Sequence, residues 1–167
     1  MRIAINGMGR IGRLLFRRLT KNEDFEVVAV NDIMPIENLA YLLKYDSIYG
    51  SYHESVKIKD QSLIINENKI IYTQKEDPEK LPWKDLNIDA VIECSGKFSN
   101  KTSASKHLIA GAKKVLLSTT GADDIPLLVY GHNQNGSIAN INILSPGGCM
   151  TNCSVHVLYI LNSIGIK

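Results

Sequence analysis

The chain of 167 residues is long enough for one domain with a sizeable core, or for one domain and part of a second. Hydrophobic residues make up 44% of it and charged residues 22%, which is typical of a soluble globular protein, and a net charge of +2 gives no support for a nucleic-acid or membrane partner. No apolar run approaches the roughly 18 residues of a membrane span, and a predicted strand begins at the N-terminus with no signal peptide ahead of it. The three cysteines lack a disulfide spacing, so we expect free thiols and a cytoplasmic location.

The first predicted unit is a strand over residues 2–6, a glycine-rich turn and a helix over residues 10–19. The turn contains the pattern Gly-x-Gly-x-x-Gly, formed by Gly7, Gly9 and Gly12. A second strand is predicted over residues 25–30, and Asp32 lies twenty residues after Gly12. A glycine pattern in this context predicts a dinucleotide-binding turn. The alternative is an ordinary βαβ unit whose glycines only shape a turn.

Each part of this pattern has a physical role in binding a dinucleotide. Gly7 allows the tight turn, Gly9 lets the backbone approach a pyrophosphate, and Gly12 lets the helix pack closely on the strand. The helix N-terminus presents free N–H groups and its positive dipole end to the phosphates. The Asp32 carboxylate accepts hydrogen bonds from the ribose and repels a 2′-phosphate, and residues 33–36 contain no Arg. The sequence therefore favours NAD over NADP.

The rest of the chain continues the alternation of strands and helices. Further helices are predicted over residues 37–45, 101–110 and 149–164. Further strands are predicted over residues 56–58, 62–65, 69–72, 89–93, 113–118, 127–130 and 138–144, with a hairpin turn at residues 66–68. This order predicts an α/β protein with a Rossmann-like, doubly wound, mostly parallel sheet and a small β-hairpin insertion.

Cys149 is placed at the start of the last predicted helix, directly after Gly147 and Gly148. A thiol at this position feels the positive end of the helix dipole and becomes a better nucleophile. The alternative is a small buried residue at a helix start. Cys153 falls on the apolar stripe of the same helix and is predicted to lie in the core; the stripe also contains Val157, Ile160, Leu161 and Ile164.

Six stretches of the sequence together resemble the N-terminal half of the glyceraldehyde-3-phosphate dehydrogenase family. They are residues 5–13, 31–32, 43–47, 91–98, 110–115 and 149–153. They occur in the family's order and cover almost the whole chain. Residues 130–134 are slightly closer to the erythrose-4-phosphate dehydrogenase branch. The resemblance implies an NAD-binding domain over residues 1–148, followed by the first helix of a truncated catalytic domain over residues 149–167.

The resemblance also implies an oxidoreductase mechanism and a role for each matched residue. Cys149 attacks the aldehyde of a sugar phosphate, and the resulting thiohemiacetal gives a hydride to NAD and becomes a thioester. The adenosine and pyrophosphate are held by Asn6, Gly7, Arg10, Ile11 and Asp32, and the rest of the cofactor by Ser95, Gly96, Phe98 and Ser118. Without the resemblance, Ser95 and Gly96 are only the turn after a parallel strand, and Ser118 is only a strand end. Full-length members of the family are expected to be homo-oligomers, and no metal, nucleic acid or membrane is implied.

Two departures from the family pattern argue against ordinary activity. Gly148 and Met150 replace a Ser and a Thr whose hydroxyls help bind the attacking phosphate, which makes hydrolysis, another acceptor or lost catalysis possible. The chain ends at Lys167, before the position of the family's catalytic His. We therefore expect these 167 residues alone to be inactive. The alternatives are an NAD-binding relative without turnover and, less well matched around Cys149, a reductase or semialdehyde dehydrogenase that shares only the fold.

Overall fold

The structure is a computed structural model that describes residues 1–133 and 140–166. Its helices in these residues are α1 (Arg10–Leu19), α2 (Ile36–Lys44), α3 (Lys101–Ile109) and α4 (Cys149–Ser163). Its strands are β1 (Arg2–Asn6), β2 (Glu26–Asn31), β3 (Val56–Lys59), β4 (Ser62–Ile65), β5 (Asn68–Thr73), β6 (Ala90–Glu93), β7 (Lys114–Leu117) and β8 (Ile143–Leu144). No helix in the described residues is long and apolar enough to cross a membrane.

The strands form one sheet in the order β3-β4-β5-β2-β1-β6-β7-β8. Strand β1 pairs in parallel with β2 on one side and with β6 on the other, and β5, β7 and β8 continue the parallel pairing outward. The chain therefore leaves β1 in one direction and later returns to its other side. Such a reversal creates a crevice at the carboxyl ends of the strands, here between β1 and β6. The predicted fold class is confirmed.

The predicted hairpin insertion extends the same sheet. Strand β4 runs antiparallel to both β3 and β5, and it is the reversed strand among those described. Asn66 and Glu67 connect β4 to β5 with φ angles of 46° and 74°. Two successive positive φ values form the tight turn whose twist matches that of the flanking strands. The hairpin turn predicted at residues 66–68 is confirmed, with Asn68 already paired in β5.

The apolar core lies on both faces of the sheet because side chains alternate along each strand. Ile3 and Ile5 of β1 belong to the cluster that α1 and α2 cover, which includes Phe16 and Leu39. On the other face, Ala4 packs with Trp83, in a cluster that also contains Ile88, Val91 and Ala110. The two layers hold β1 in the middle of the molecule and fix the glycine turn that follows it.

The predicted strands over residues 127–130 and 138–144 are largely wrong. Leu127 makes a single bridge to Ser145, and the backbone N–H of Leu128 donates to the Ser145 carbonyl at 2.8 Å. Only Ile143–Leu144 forms the strand β8, while residues 138 and 139 lie outside the described residues. In the first segment Val129 is buried without joining a strand, and in the second Ile143 is buried as part of β8.

The predicted core position of Cys153 is also wrong. Helix α4 forms as predicted, but none of its residues is buried, and both Cys149 and Cys153 are exposed. On the predicted stripe, Val157 is 55% exposed and Ile160 is 59% exposed. Helical periodicity predicts which side chains share a face, but it does not show whether another element covers that face.

Candidate functional site

The predicted site residues follow the carboxyl ends of neighbouring parallel strands. Asp32 follows β2, Gly7 follows β1 and Ser95 follows β6. Ser118 comes directly after β7, and the segment leading to Cys149 follows β8. Since these strands are parallel neighbours, their carboxyl ends lie along the same edge, and four steps of about 4.8 Å separate β2 from β8. The edge therefore presents the site residues in a row of roughly 19 Å, a geometry suited to an extended ligand.

A groove opens at the reversal point between β1 and β6. It brings together six of the predicted site residues: Asn6, Gly7, Gly9, Asp32, Ser95 and Phe98. Its other lining residues are Asn31, Ile33, Lys75, Glu76, Cys94 and Lys97. The remaining predicted residues lie around it. Arg10, Ile11 and Gly12 form the first turn of α1, Gly96 follows Ser95, and Ser118 and Cys149 lie further along the edge.

The three glycines of the turn meet different surroundings. Gly7 has a φ of +91°, and a Cβ there would lie 2.4 Å from the backbone N of Ser95. A Cβ on Gly12 would lie 2.0 Å from the carbonyl oxygen of Gly7. A Cβ on Gly9 would meet no atom within 4 Å, and Gly9 lines the groove. Gly7 and Gly12 are therefore required by backbone packing, whereas Gly9 keeps space open for a ligand.

The N-terminus of α1 fits a pyrophosphate. Gly9 is the N-cap and provides no side-chain hydrogen bond to the first turn. That turn contains no acidic residue, so no carboxylate of its own competes for the positive end of the helix. Free N–H groups and a positive dipole end favour an anion at this position.

Asp32 is held with its carboxylate against the glycine turn. Its Oδ2 accepts a hydrogen bond from the backbone N–H of Met8 at 2.6 Å, and its Oδ1 accepts one from Met34 at 3.0 Å. The Tyr72 hydroxyl donates to the backbone carbonyl of Met34, and the Asp32 carbonyl oxygen lies 3.1 Å from the same hydroxyl. Burial and the nearby Asp32 carboxylate raise the pKa of Tyr72 to about 12, so this hydroxyl remains a donor near neutral pH. Each carboxylate oxygen has a second acceptor direction for a ribose hydroxyl.

A buried polar network crosses the floor of the groove. Glu93, only 2% exposed, accepts hydrogen bonds from Asn6, Ser95 and His107. The side-chain oxygen Oδ1 of Asn6 in turn accepts a hydrogen bond from the side-chain Nδ2 of Asn31 at 2.7 Å. Both polar ends of the Asn6 side chain are therefore bound within the protein, and this residue shapes the groove from below.

Cys149 lies at an uncapped helix start, where its thiol is exposed. A Cβ on the preceding Gly148 would lie 2.5 Å from Oγ1 of Thr120. The hydroxyl of Thr120 thus occupies the space that a Ser side chain at position 148 would need. The Ser145 hydroxyl donates to the Thr119 carbonyl at 2.6 Å and accepts from Gly147, which ties this loop to the segment before α4. Met150, which directly follows Cys149, is 75% exposed.

Cys94 differs from the other two cysteines because it is partly buried beside β6. Burial raises the pKa of its thiol to about 11, the Ser118 hydroxyl opposes this shift through a hydrogen bond, and the Glu93 carboxylate adds to it. Ser118 therefore contacts a core thiol from its place on the edge. Among the described residues, no three metal-ligating side chains are grouped.

Several residues of the site were missed by the sequence analysis. Asn31, Lys75, Glu93, Trp83 and His107 line or support the groove. A carboxylate at the end of a buried strand was a usable signal for Glu93. Lys75 lies more than forty residues from Asp32 along the chain, and His107 is fourteen residues from Glu93, so no local pattern joined them.

Comparisons with known proteins agree with this geometry. Residues 1–101 match the family model of the glyceraldehyde 3-phosphate dehydrogenase NAD binding domain. Glyceraldehyde-3-phosphate dehydrogenases from several bacteria are similar in sequence to this chain along almost its whole length. The Bacteroides fragilis protein is 43% identical over 97% of this chain and 49% of its own length. The Chlamydia muridarum protein is 45% identical over 100% of this chain and 51% of its own length. The Buchnera aphidicola protein is 46% identical over 92% of this chain and 46% of its own length.

The chain spans about half the length of these curated relatives. The matched half contains the glycine turn, Asp32 and the groove between β1 and β6. The family model covers more than half of the chain, and its domain binds NAD. The cofactor of this α/β domain is NAD, and the chain belongs to the glyceraldehyde-3-phosphate dehydrogenase family.

Proposed function

We propose that this chain is the NAD-binding half of an aldehyde-oxidising, sugar-phosphate dehydrogenase. The observation that carries the proposal is the row along the sheet edge, in which the groove at β1 and β6 is followed by the ends of β7 and β8, and the segment after β8 ends at the exposed Cys149. Residues 1–148 form the cofactor-binding domain, and residues 149–167 begin the catalytic domain. Three free cysteines agree with a reducing, cytoplasmic setting.

In this proposal each matched residue has a defined task. Asp32 binds the adenosine ribose, while Gly9 and the first turn of α1, with Arg10 and Ile11, receive the pyrophosphate. Ser95, Gly96, Phe98 and Ser118 border the remainder of the cofactor. NAD, when bound, supplies the hydride acceptor. The Sγ of Cys149 forms a bond to the aldehyde carbon of the sugar phosphate, the C=O π bond breaks, and the thiol proton passes to the carbonyl oxygen, which holds the substrate as a thiohemiacetal.

The acceptor that releases the acyl group from Cys149 is a separate question. Gly148 and Met150 have no hydroxyl with which to bind an attacking phosphate. Lost hydrogen bonds to a charged group cost about 1.5–3 kcal/mol each, so phosphate transfer would be slowed by orders of magnitude. Hydrolysis or a different acceptor therefore fits this chain better than efficient phosphorylation. We expect the 167 residues by themselves to bind NAD without completing a turnover.

A second candidate function is an NAD-binding relative that performs no catalysis. Gly148 and Met150 favour it, because they change both neighbours of the nucleophile, whereas the groove remains intact. The two candidates share the cofactor and differ only in what Cys149 does.

The cofactor assignment is tested by titrating the chain with NAD and NADP in a calorimeter. A 2′-phosphate near the Asp32 carboxylate costs about 1–4 kcal/mol at a separation of about 4 Å, so NAD is expected to bind at least about fivefold more tightly. Asp32→Asn removes the repulsion and is expected to reduce the difference in affinity between NAD and NADP. Equal or tighter binding of NADP by the unmodified chain would contradict the role of Asp32.

A further inference from the structure

We propose that Glu93 is the positioning residue of the cofactor groove, and that His107 holds its carboxylate in place. This inference rests on the proposed function of the groove in binding NAD. Glu93 contacts no open part of the groove itself, being 2% exposed, and it acts through the residues that line it. His107, fully buried on α3, contacts the Oε2 of the Glu93 carboxylate.

One carboxylate joins the two turns that form the groove. The Oε1 of Glu93 accepts from both the backbone N–H of Ser95 at 2.6 Å and the Ser95 hydroxyl at 2.5 Å. The Oε2 accepts from the Asn6 amide at 2.5 Å, immediately before the glycine turn. The turns after β1 and β6 are therefore joined through one buried side chain, in addition to the backbone hydrogen bond from Cys94 N–H to the Asn6 carbonyl at 2.6 Å.

The backbone makes this coupling tight. A Cβ on Gly7 would lie only 2.4 Å from the backbone N of Ser95, so the two turns are in direct contact. A rotation of the Glu93 carboxylate would release the Ser95 N–H and hydroxyl together. Because Ser95 borders Gly7, the change would reach the pyrophosphate turn as well as the Ser95 side of the groove.

The hydrogen-bond inventory defines the role of His107. The indole Nε1–H of Trp83 can only donate, and it points to Nδ1 of His107 at 3.0 Å. Nδ1 is therefore the acceptor, and the proton of the neutral ring lies on Nε2. That N–H donates to Oε2 of Glu93 at 2.9 Å. With it, Glu93 receives four hydrogen bonds, the number that its two oxygens can accept.

Two amide variants of His107 separate its two bonds. In His107→Gln the side-chain amide nitrogen can take the place of Nε2 and keep the donor to Glu93, while the bond from Trp83 is lost. In His107→Asn the side-chain oxygen can take the place of Nδ1 and keep the bond from Trp83, while the donor to Glu93 is lost. Each variant leaves one buried group without its partner, so both are expected to lower the melting temperature.

NAD affinity measured by calorimetry distinguishes positioning from a purely structural role. We expect His107→Asn to bind NAD about tenfold more weakly, and His107→Gln to remain within about threefold of the unmodified chain. Trp83→Phe keeps the donor to Glu93 and serves as the control, with affinity close to that of His107→Gln. Since Trp83 is the single tryptophan, its emission spectrum reports separately on which variant keeps the indole bond.

The outcomes separate this inference from the proposed function. If the unmodified chain does not bind NAD, the proposed function is wrong. If it binds NAD and the two His107 variants bind it equally, the positioning role is overturned. Should His107→Asn not fold, Glu93→Gln carries the test, because in either orientation its amide nitrogen would face two donors, those of Ser95 or those of Asn6 and His107. It is then expected to weaken NAD binding about tenfold, and unchanged affinity would refute the inference.

Discussion

Gly7, Gly9 and Gly12 belong to one motif, but each answers a different physical requirement. Gly7 and Gly12 lie against backbone atoms, where an added Cβ would approach to 2.4 Å and 2.0 Å. Gly9 has a φ of −67°, which any residue can adopt, and no neighbour within 4 Å of an added Cβ. Two of the glycines are therefore needed for the fold itself, whereas the third leaves open space at the groove.

Substitution of these glycines by Ala separates folding from binding. Gly12→Ala is expected to destabilise the chain by about 3 kcal/mol or more, because the backbone of Gly7 cannot move away cheaply. Gly9→Ala is expected to change stability by less than about 1 kcal/mol and to weaken NAD binding about tenfold, since its methyl group enters the groove. Thermal unfolding and NAD calorimetry on both variants provide the comparison. A Gly9→Ala variant with unchanged affinity would show that the pyrophosphate binds elsewhere.

The site residues that could be predicted from the sequence were those identified by neighbouring residues along the chain. Asp32 lies at the end of a predicted strand, at the expected distance from Gly12, and it does line the groove. Cys149 begins a helix as expected. Glu93, His107 and Trp83 became connected only when α3 packed against the sheet, because their contacts span 14 and 24 residues. The sequence contains the groups, and the tertiary fold determines their pairing.

At the scale of elements, periodicity predicted the strands and helices that build the central sheet. Strands β1, β2 and β6 are buried on both faces, so their apolar runs are continuous and easily recognised. The segment at residues 127–130 has a similar composition but makes only one bridge, to Ser145. Only Val129 of these four residues is buried, so a short apolar run predicts neither strand pairing nor burial of the whole segment, which explains the wrong prediction there.

The burial of Cys94, which lies directly after β6, can be tested chemically. Burial raises the pKa of Cys94 to about 11, so only about 0.1% of it is thiolate at pH 8. Iodoacetamide is therefore expected to modify the exposed Cys149 and Cys153 first and Cys94 much later, with the rate at Cys94 rising as the pH approaches 11. Peptide mapping by mass spectrometry gives the order. Labelling in urea should abolish the difference, and equal rates in the folded chain would contradict the burial.

At the scale of the whole molecule, the exposed surface of α4 is the feature that the rest of the fold leaves uncovered. We call Val157, Leu158, Tyr159, Ile160 and Ile164 the α4 apolar surface; each is more than half exposed. Apolar side chains that remain this exposed around a helix favour association. The proposed second domain would begin at this helix, and the chain spans only about half the length of its relatives.

We expect the 167-residue polypeptide to self-associate through the α4 apolar surface. Ile160→Lys places a charge in that surface and is expected to shift the chain towards a monomer of 18.5 kDa in sedimentation velocity experiments. Ile109→Lys is the matched control, because Ile109 on α3 is 69% exposed and lies outside this surface. It should leave the association unchanged. If the unmodified polypeptide is monomeric at micromolar concentrations, the apolar surface of α4 does not drive self-association; if both variants dissociate equally, the contact lies elsewhere on the molecule.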